Sequence, residues 1–189
     1  MTIIELTPPA VEPLTIVEVR AHLRLDTEEE DALLSALAIV AREHLERETG
    51  LVLAARNFRL FRDDWPADGI MTIARGPVRA VTAVTVYDGD GEPQMVGLDG
   101  HLLDGQARPA RLWLSAVPEP GQVMNGVEVD YSAGFGESGA DVPPTLKRAM
   151  LLHVAAMFAA RGVVAPDAQP AVVPPGYDRL IGPFCRRGL

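Results

Sequence analysis

LTIVEVRAHLRLDTEEEDALLSALAIVAREHLERETG, residues 14–50, is the stretch that decides the fold reading. Thr15 with Glu18 forms a capping box: the Thr hydroxyl takes the free amide of the third helical residue, and the Glu reaches back to the Thr amide. Leu14 and Val19 stand at the two positions of a hydrophobic staple. This predicts a short helix over 15–24. Thr27 with Glu30 repeats the box, and Glu28, Glu29, Glu30 and Asp31 fill the next first turn, where the helix dipole favours negative charge. Leu33, Leu34, Leu37, Ala38, Ala41 and Leu45 form a three-four apolar stripe, which predicts a second helix over 28–49. Gly50 is its left-handed stop. At about twenty residues this helix is about 30 Å long.

On either side the period changes. Residues 1–13 hold Pro8, Pro9 and Pro13 and read as an extended arm. Across 51–135, β-branched and aromatic residues alternate or cluster between Gly, Pro and Asp breakers, which predicts five to seven short, mostly antiparallel strands. Asp88-Gly89 and Asp90-Gly91 mark a hairpin turn between Val81–Tyr87 and Gln94–Leu98. After Pro143-Pro144 the chain is helical again over 144–161: Leu146, Ala149, Met150, His153, Val154, Met157 and Phe158 share one side, and Gly162 ends it. The expected fold is α+β: long antiparallel helices with an inserted small antiparallel β region and an extended C-terminal tail. The expected domains are a core over 1–162 and a Pro-rich, basic tail over 163–189.

The chain has 189 residues, 48% of them apolar, enough for one domain with a real core. Its formal charge of −9 argues against sequence-wide binding to DNA or anionic membrane. The charge is uneven. Residues 147–189 carry six basic residues against two acids, leaving −13 for residues 1–146. A basic end on an acidic body suggests that the end contacts something else. The single cysteine, Cys185, excludes a disulfide framework within the chain and a Cys-based zinc site, and fits a reducing compartment. MTIIELTPPA has neither the basic start nor the apolar core of a signal peptide. The longest apolar run, 149–160, is too short to span a bilayer.

Each tempting motif fails on context. Gly134-Phe-Gly136-Glu-Ser-Gly139 is formally G-x-G-x-x-G, but Asp141, Pro143 and Pro144 separate it from the helix whose N-terminus would meet a pyrophosphate. Asp88-Gly-Asp90-Gly-Glu92 lacks the sixth-position glycine of a calcium loop, with Pro93 there instead, and is flanked by strands. His22, His44, His101 and His153 form no H-E-x-x-H, and His44 and His153 lie on or beside apolar stripes, as structural histidines do. Cys185 sits near Arg186 and Arg187 with no base placed by sequence, so it reads as a passive thiol. Phe58, Phe61 and Trp65 interleave with Arg56, Arg59 and Arg62; a strand with one apolar and one solvated face suits an acidic body better than a nucleic-acid platform. The tail is different. Tyr177, Arg179, Leu180, Ile181, Phe184, Arg186 and Arg187 combine large apolar and basic side chains, as a peptide docking on another subunit does, or one folding back on its own domain.

The order of these features resembles the tailed-phage head–tail connector (adaptor, or head-completion) family, including prophage and gene transfer agent versions. The resemblance is carried by the capped helical pair, by the strand NFRLFRDDWP, by IARGPVRAVTAVTVYDGDGE, by VEVDYSAGFGESGADVPPTLKRAMLLHVAAMFAAR and by the closing YDRLIGPFCRR. It spans nearly the whole chain, and none of its pieces is a catalytic signature. It implies a structural protein with no enzymatic activity and no cofactor or metal. Such a protein forms a homo-oligomeric ring, twelvefold in the particle, beneath the portal protein, with a head-completion or tail-terminator protein below. DNA passes through the ring's channel without sequence-specific binding, and no membrane is involved. The protein would reside in the host cytoplasm during assembly and then at the head–tail junction. The seven tail residues named above are the expected portal-docking set, and the acidic body would line a channel that does not hold phosphates. Two other classes remain in view: a small metal-dependent hydrolase built on Asp88, His101 and Asp104, and a generic cytosolic dimeric interaction module.

Overall fold

A computed structural model of the chain describes residues 1–160 and 173–185. The chain divides into two compact units, Met1–Ala10 with Ala55–Phe135 and Val11–Ala54 with Gly136–Leu189.

The first unit is all β among its described elements. Its strands are β1 (Thr2–Glu5), β2 (Arg56–Arg62), β3 (Ile70–Ile73), β4 (Val78–Tyr87), β5 (Pro93–Met95), β6 (Leu102–Asp104), β7 (Ala110–Trp113) and β8 (Val127–Ala133). They form a five-stranded antiparallel sheet, β1-β2-β8-β4-β5, and a three-stranded antiparallel sheet, β3-β7-β6. The N-terminal arm is thus an edge strand, with Ile3 opposite Leu60. Period-two alternation sorts β2 cleanly: Arg56, Phe58 and Leu60 point inward, and Asn57, Arg59 and Phe61 outward. Phe58 stacks on Tyr131 with ring centroids 5.6 Å apart, and Val84, Val127, Val129, Met71, Ile73 and Leu112 complete the buried set. The hairpin forms where Asp88 and Asp90 place it, with Val86 opposite Gln94 and the Asp88 carboxylate accepting from the amides of Asp90 and Glu92.

The second unit holds four helices: α1 (Ile16–Leu23), α2 (Asp31–Thr49), α3 (Pro144–Ala159) and α4 (Tyr177–Ile181). The first capping box is present in full, and Glu18 extends it: one carboxylate oxygen takes the Thr15 amide at 2.8 Å, the other the Lys147 ammonium of α3 at 2.6 Å. α2 ends at Gly50, whose φ of 69° is left-handed. Inside this unit Arg42 is buried between Glu12 at 2.8 Å and Glu46 at 3.3 Å, and Glu46 also accepts the Leu53 amide at 2.8 Å. α2 packs on α3, and α3 on α4. Among the described residues no helix is long and apolar enough to cross a membrane.

These findings correct the expected architecture. The fold is α+β, but the helices run from five to nineteen residues, and the β part is not a small insert: it has eight strands in two sheets and recruits the N-terminal arm. The described part of the tail is not extended, since it forms α4 and a following 3-10 turn, Gly182–Phe184. The second capping box does not form either. α2 begins at Asp31, three residues later than expected, with no side-chain cap from Glu30. The reason is electrostatic competition: Arg20 of α1 draws Glu28 to 3.1 Å and Asp31 to 3.4 Å, so the acidic run ties α1 to α2 instead of capping a longer helix. α3 ends at Ala159, and the predicted stop Gly162 lies outside the described residues.

Candidate functional site

The C-terminal segment carries the apolar and basic residues expected from the sequence to dock on another subunit. Pro174 and Pro175 precede Gly176, whose φ of 89° turns the chain into α4, a conformation a side-chain-bearing residue adopts only with strain. Tyr177 and Ile181 are one helical turn apart and both buried. Asp178 and Arg179 are exposed, while Leu180 and Phe184 are half-buried. The Cys185 amide donates to the Ile181 carbonyl at 3.1 Å and closes the turn. Of the seven predicted docking residues, then, Tyr177 and Ile181 are anchored in their own unit. Arg179, Leu180 and Phe184 retain surface, and Arg186 and Arg187 lie outside the described residues.

Tyr177 enters a three-ring cluster that the sequence did not bring together. The His44 and His153 centroids are 4.9 Å apart in an edge-to-face arrangement, and Tyr177 lies 5.7 Å from His44 and 5.5 Å from His153. Burial pushes the Tyr177 hydroxyl well above the usual phenol range, with the charges of Glu48 and Asp178 adding to it. The signal available in the sequence was one histidine on each of two paired helical stripes.

The other candidates are spent on structure. Gly136 and Gly139 do not form an open anion cradle: a Cβ on Gly136 would stand 2.1 Å from the Asp141 carboxylate, and one on Gly139 2.5 Å from the Pro13 carbonyl. Asp141 caps the Ser138 amide, so negative charge already occupies the position a phosphate would need. Asp104 is ion-paired with Arg111 and takes the Ala107 amide, and these contacts hold its carboxyl below the usual range. His101 contacts the Leu98 carbonyl through Nδ1 at 2.7 Å. Among the described residues no three His, Cys, Asp or Glu side chains converge as metal ligands would. Arg59 faces outward but is held by Asp130 at 2.6 Å and Glu128 at 3.1 Å, while Phe58 is buried and Arg56 is buried against Glu5 at 3.0 Å. The expected solvated arginine face therefore keeps Arg59 and loses Arg56 to the inward face.

In the first unit a shallow cleft of about 180 Å³ lies on the outer face of the smaller sheet, lined by Ile70, Leu102 and Trp113 with the Asp104–Arg111 pair. Leu102 is 65% and Trp113 41% exposed.

The chain is similar along its whole length to solved structures. A chain in the neck of an empty gene transfer agent particle, computed with C6 symmetry, matches at a TM-score of 0.82 and 30% identity, covering 100% of this chain and 98% of that one. The chain belongs to the head–tail connector family. Two further matches to this connector are a chain of the virion of a native gene transfer agent particle, at 0.79 and 30% identity, and one in the neck of a native particle computed with C12 symmetry, at 0.78 and 31%. Each covers 100% of the connector and 98% of its own chain. No family model matches the sequence, and no curated protein does.

Proposed function

We propose that this connector is a structural subunit of the neck of a phage-like particle, forming a homo-oligomeric ring beneath the portal and joining head to tail. The observation that carries this is end-to-end similarity, at 30% identity, to chains from gene transfer agent necks solved with sixfold and twelvefold symmetry. The role is assembly rather than catalysis, consistent with candidate motifs that are each engaged in capping, ion pairing or core packing. Lateral contacts between unlike faces of neighbouring copies would close under cyclic symmetry, with twelve copies as the proposed number. The ring would extend the DNA channel, and the −13 carried by residues 1–146 would keep phosphates from adhering to its wall. A head-completion or tail-terminator protein would follow below. In this scheme the portal contact uses Arg179, Leu180, Phe184, Arg186 and Arg187, with Tyr177 and Ile181 holding the segment in place.

The test is electron microscopy of the purified chain mixed with the portal protein of its own particle. The expected result is a ring of added density beneath the portal. It should be lost on truncation after Cys185 combined with Arg179→Glu and Phe184→Ala, while circular dichroism stays unchanged. Portal particles without added density overturn the ring, a basic lumen overturns the channel wall, and undiminished binding by the variant overturns the docking set.

A further inference from the structure

His153 is fully buried in the second unit, and neither ring nitrogen has a hydrogen-bond partner among the described residues. The Tyr177 hydroxyl is likewise unpartnered, on a residue only 1% exposed. Leaving one neutral polar group dry is tolerable, but charging one there without a partner is far more costly. Among the described residues the groups around the cluster are few. α2 contributes His44 and Glu48, and the C-terminal segment contributes Asp178 and Cys185 beside Tyr177. His44 bears directly on His153, and among the described residues no carboxylate is hydrogen-bonded to the buried ring. Burial first, and the proximity of His44 second, push His153 down to about 4 from an ordinary 6.5.

We propose that this cluster is a pH-operated latch: with His153 neutral, Tyr177 and Ile181 hold residues 177–185 against their unit, and protonation of His153 releases the segment. The imidazolium must regain water, and the least costly element to displace is α4. It has five residues and two buried anchors, whereas α3 has sixteen residues and five buried side chains. The sign follows from the direction in which burial moves the imidazole. The closed state favours neutral His153, so the latch is at full strength above about pH 6.5, weakens as pH falls below that value, and loses the last of the contribution as pH falls through about 4. From well above pH 6.5 to well below pH 4 the open-to-closed ratio rises by up to about 300-fold, the ratio of the proton affinities of the open and closed states, and about half of that factor is reached at pH 4. The released segment is the one proposed to meet the portal, but the latch does not depend on that role, and its test contains no portal.

The experiment is hydrogen exchange read by mass spectrometry on the full-length protein from about pH 7 to pH 4, corrected for the intrinsic pH dependence of exchange. Labelling of Cys185 by dithiodipyridine, which reacts in acid, runs in parallel. Protection of 177–185 should fall, and Cys185 should react faster, while the amides of β2 and β8 keep their protection. In His153→Phe, which keeps an aromatic ring and removes the proton site, protection should persist to pH 4. If that variant does not fold, Tyr177→Ala serves: its segment should exchange at pH 7 as the wild type's does at pH 4, with no further pH dependence. Unchanged protection of 177–185 in the wild type overturns the latch. So does loss of all amides together at one pH, equal loss in His153→Phe, or retained protection with retained pH dependence in Tyr177→Ala.

Discussion

Replacing Arg42 with Ala tests whether its ion cluster holds the second unit together. The Arg42 and Glu46 side chains are 7% and 5% exposed, and the guanidinium also reaches Glu12, whose side chain is 30% exposed. Removing one member of a buried pair typically costs about 3–5 kcal/mol, because the remaining charge is left in a dry site. Two features reduce that here: Glu46 keeps the Leu53 amide through its other oxygen, and Glu12 can turn to water. The expected loss is therefore about 3 kcal/mol. Arg42→Met with Glu46→Met removes both charges and leaves the Leu53 amide unpaired, a cost of about 1–2 kcal/mol. The double variant should thus be more stable than Arg42→Ala by about 1–2 kcal/mol. The chain allows each unit to be followed separately during urea unfolding. All four described helices lie in the second unit and both tryptophans, Trp65 and Trp113, in the first, so far-UV circular dichroism reports one and fluorescence the other. A shift of the helical transition below about 1 kcal/mol in Arg42→Ala, or a double variant no more stable than Arg42→Ala, refutes the reasoning.

Two further perturbations separate burial from pairing. The Tyr131 hydroxyl is buried with no hydrogen-bond partner among the described residues, while its ring stacks on Phe58, so Tyr131→Phe should stabilise the fluorescence-detected urea transition by about 1 kcal/mol; a clear loss would mean that the hydroxyl has a partner. Burial works against ionisation of Glu18, but the bonds from Lys147 and Thr15 prevail and hold its carboxyl below 4.5, so its contribution is present above that pH and fades as pH falls through the lowered value. With its side chain 40% exposed, Glu18→Gln should cost under about 1 kcal/mol at neutral pH and less in acid, as thermal melts at neutral and acidic pH would show.

Local signals were legible where one element satisfies itself. The Thr15–Glu18 box, the Gly50 stop and the Asp88 hairpin each need only a few neighbouring residues, and each appears where the sequence puts it. The failures share a cause: a partner distant in sequence outbids the local one. Thr27 and Glu30 form a sound capping pattern, yet Arg20 draws the acidic run across to α1. Residues 2–5 look like a loose arm until β2 supplies an edge to pair with, and Arg56 looks solvent-facing until Glu5, on the neighbouring strand, ion-pairs with it. The His44–His153–Tyr177 cluster draws on three elements, so no window of sequence contains it.

In the proposed docking scheme, the tail's folding back and its docking outward need not compete. Read as a string, its aromatic and basic residues admit either use, and the two looked alike. A single helical turn separates them. Tyr177 and Ile181 fall on one face and are consumed by the unit's own core, while Arg179 lies on the other, with Leu180 and Phe184 half-buried between. An anchored segment also binds more tightly than a free one of the same composition, because the entropy of ordering it has already been spent in the subunit. Where the segment meets the portal as proposed, a latch that weakens in acid would reduce portal affinity through disorder, with every contacting side chain still present. Measuring portal binding by Tyr177→Ala distinguishes the two contributions. Weaker binding by a variant whose docking face is intact shows that anchoring matters, whereas equal binding shows that the contacting side chains alone suffice.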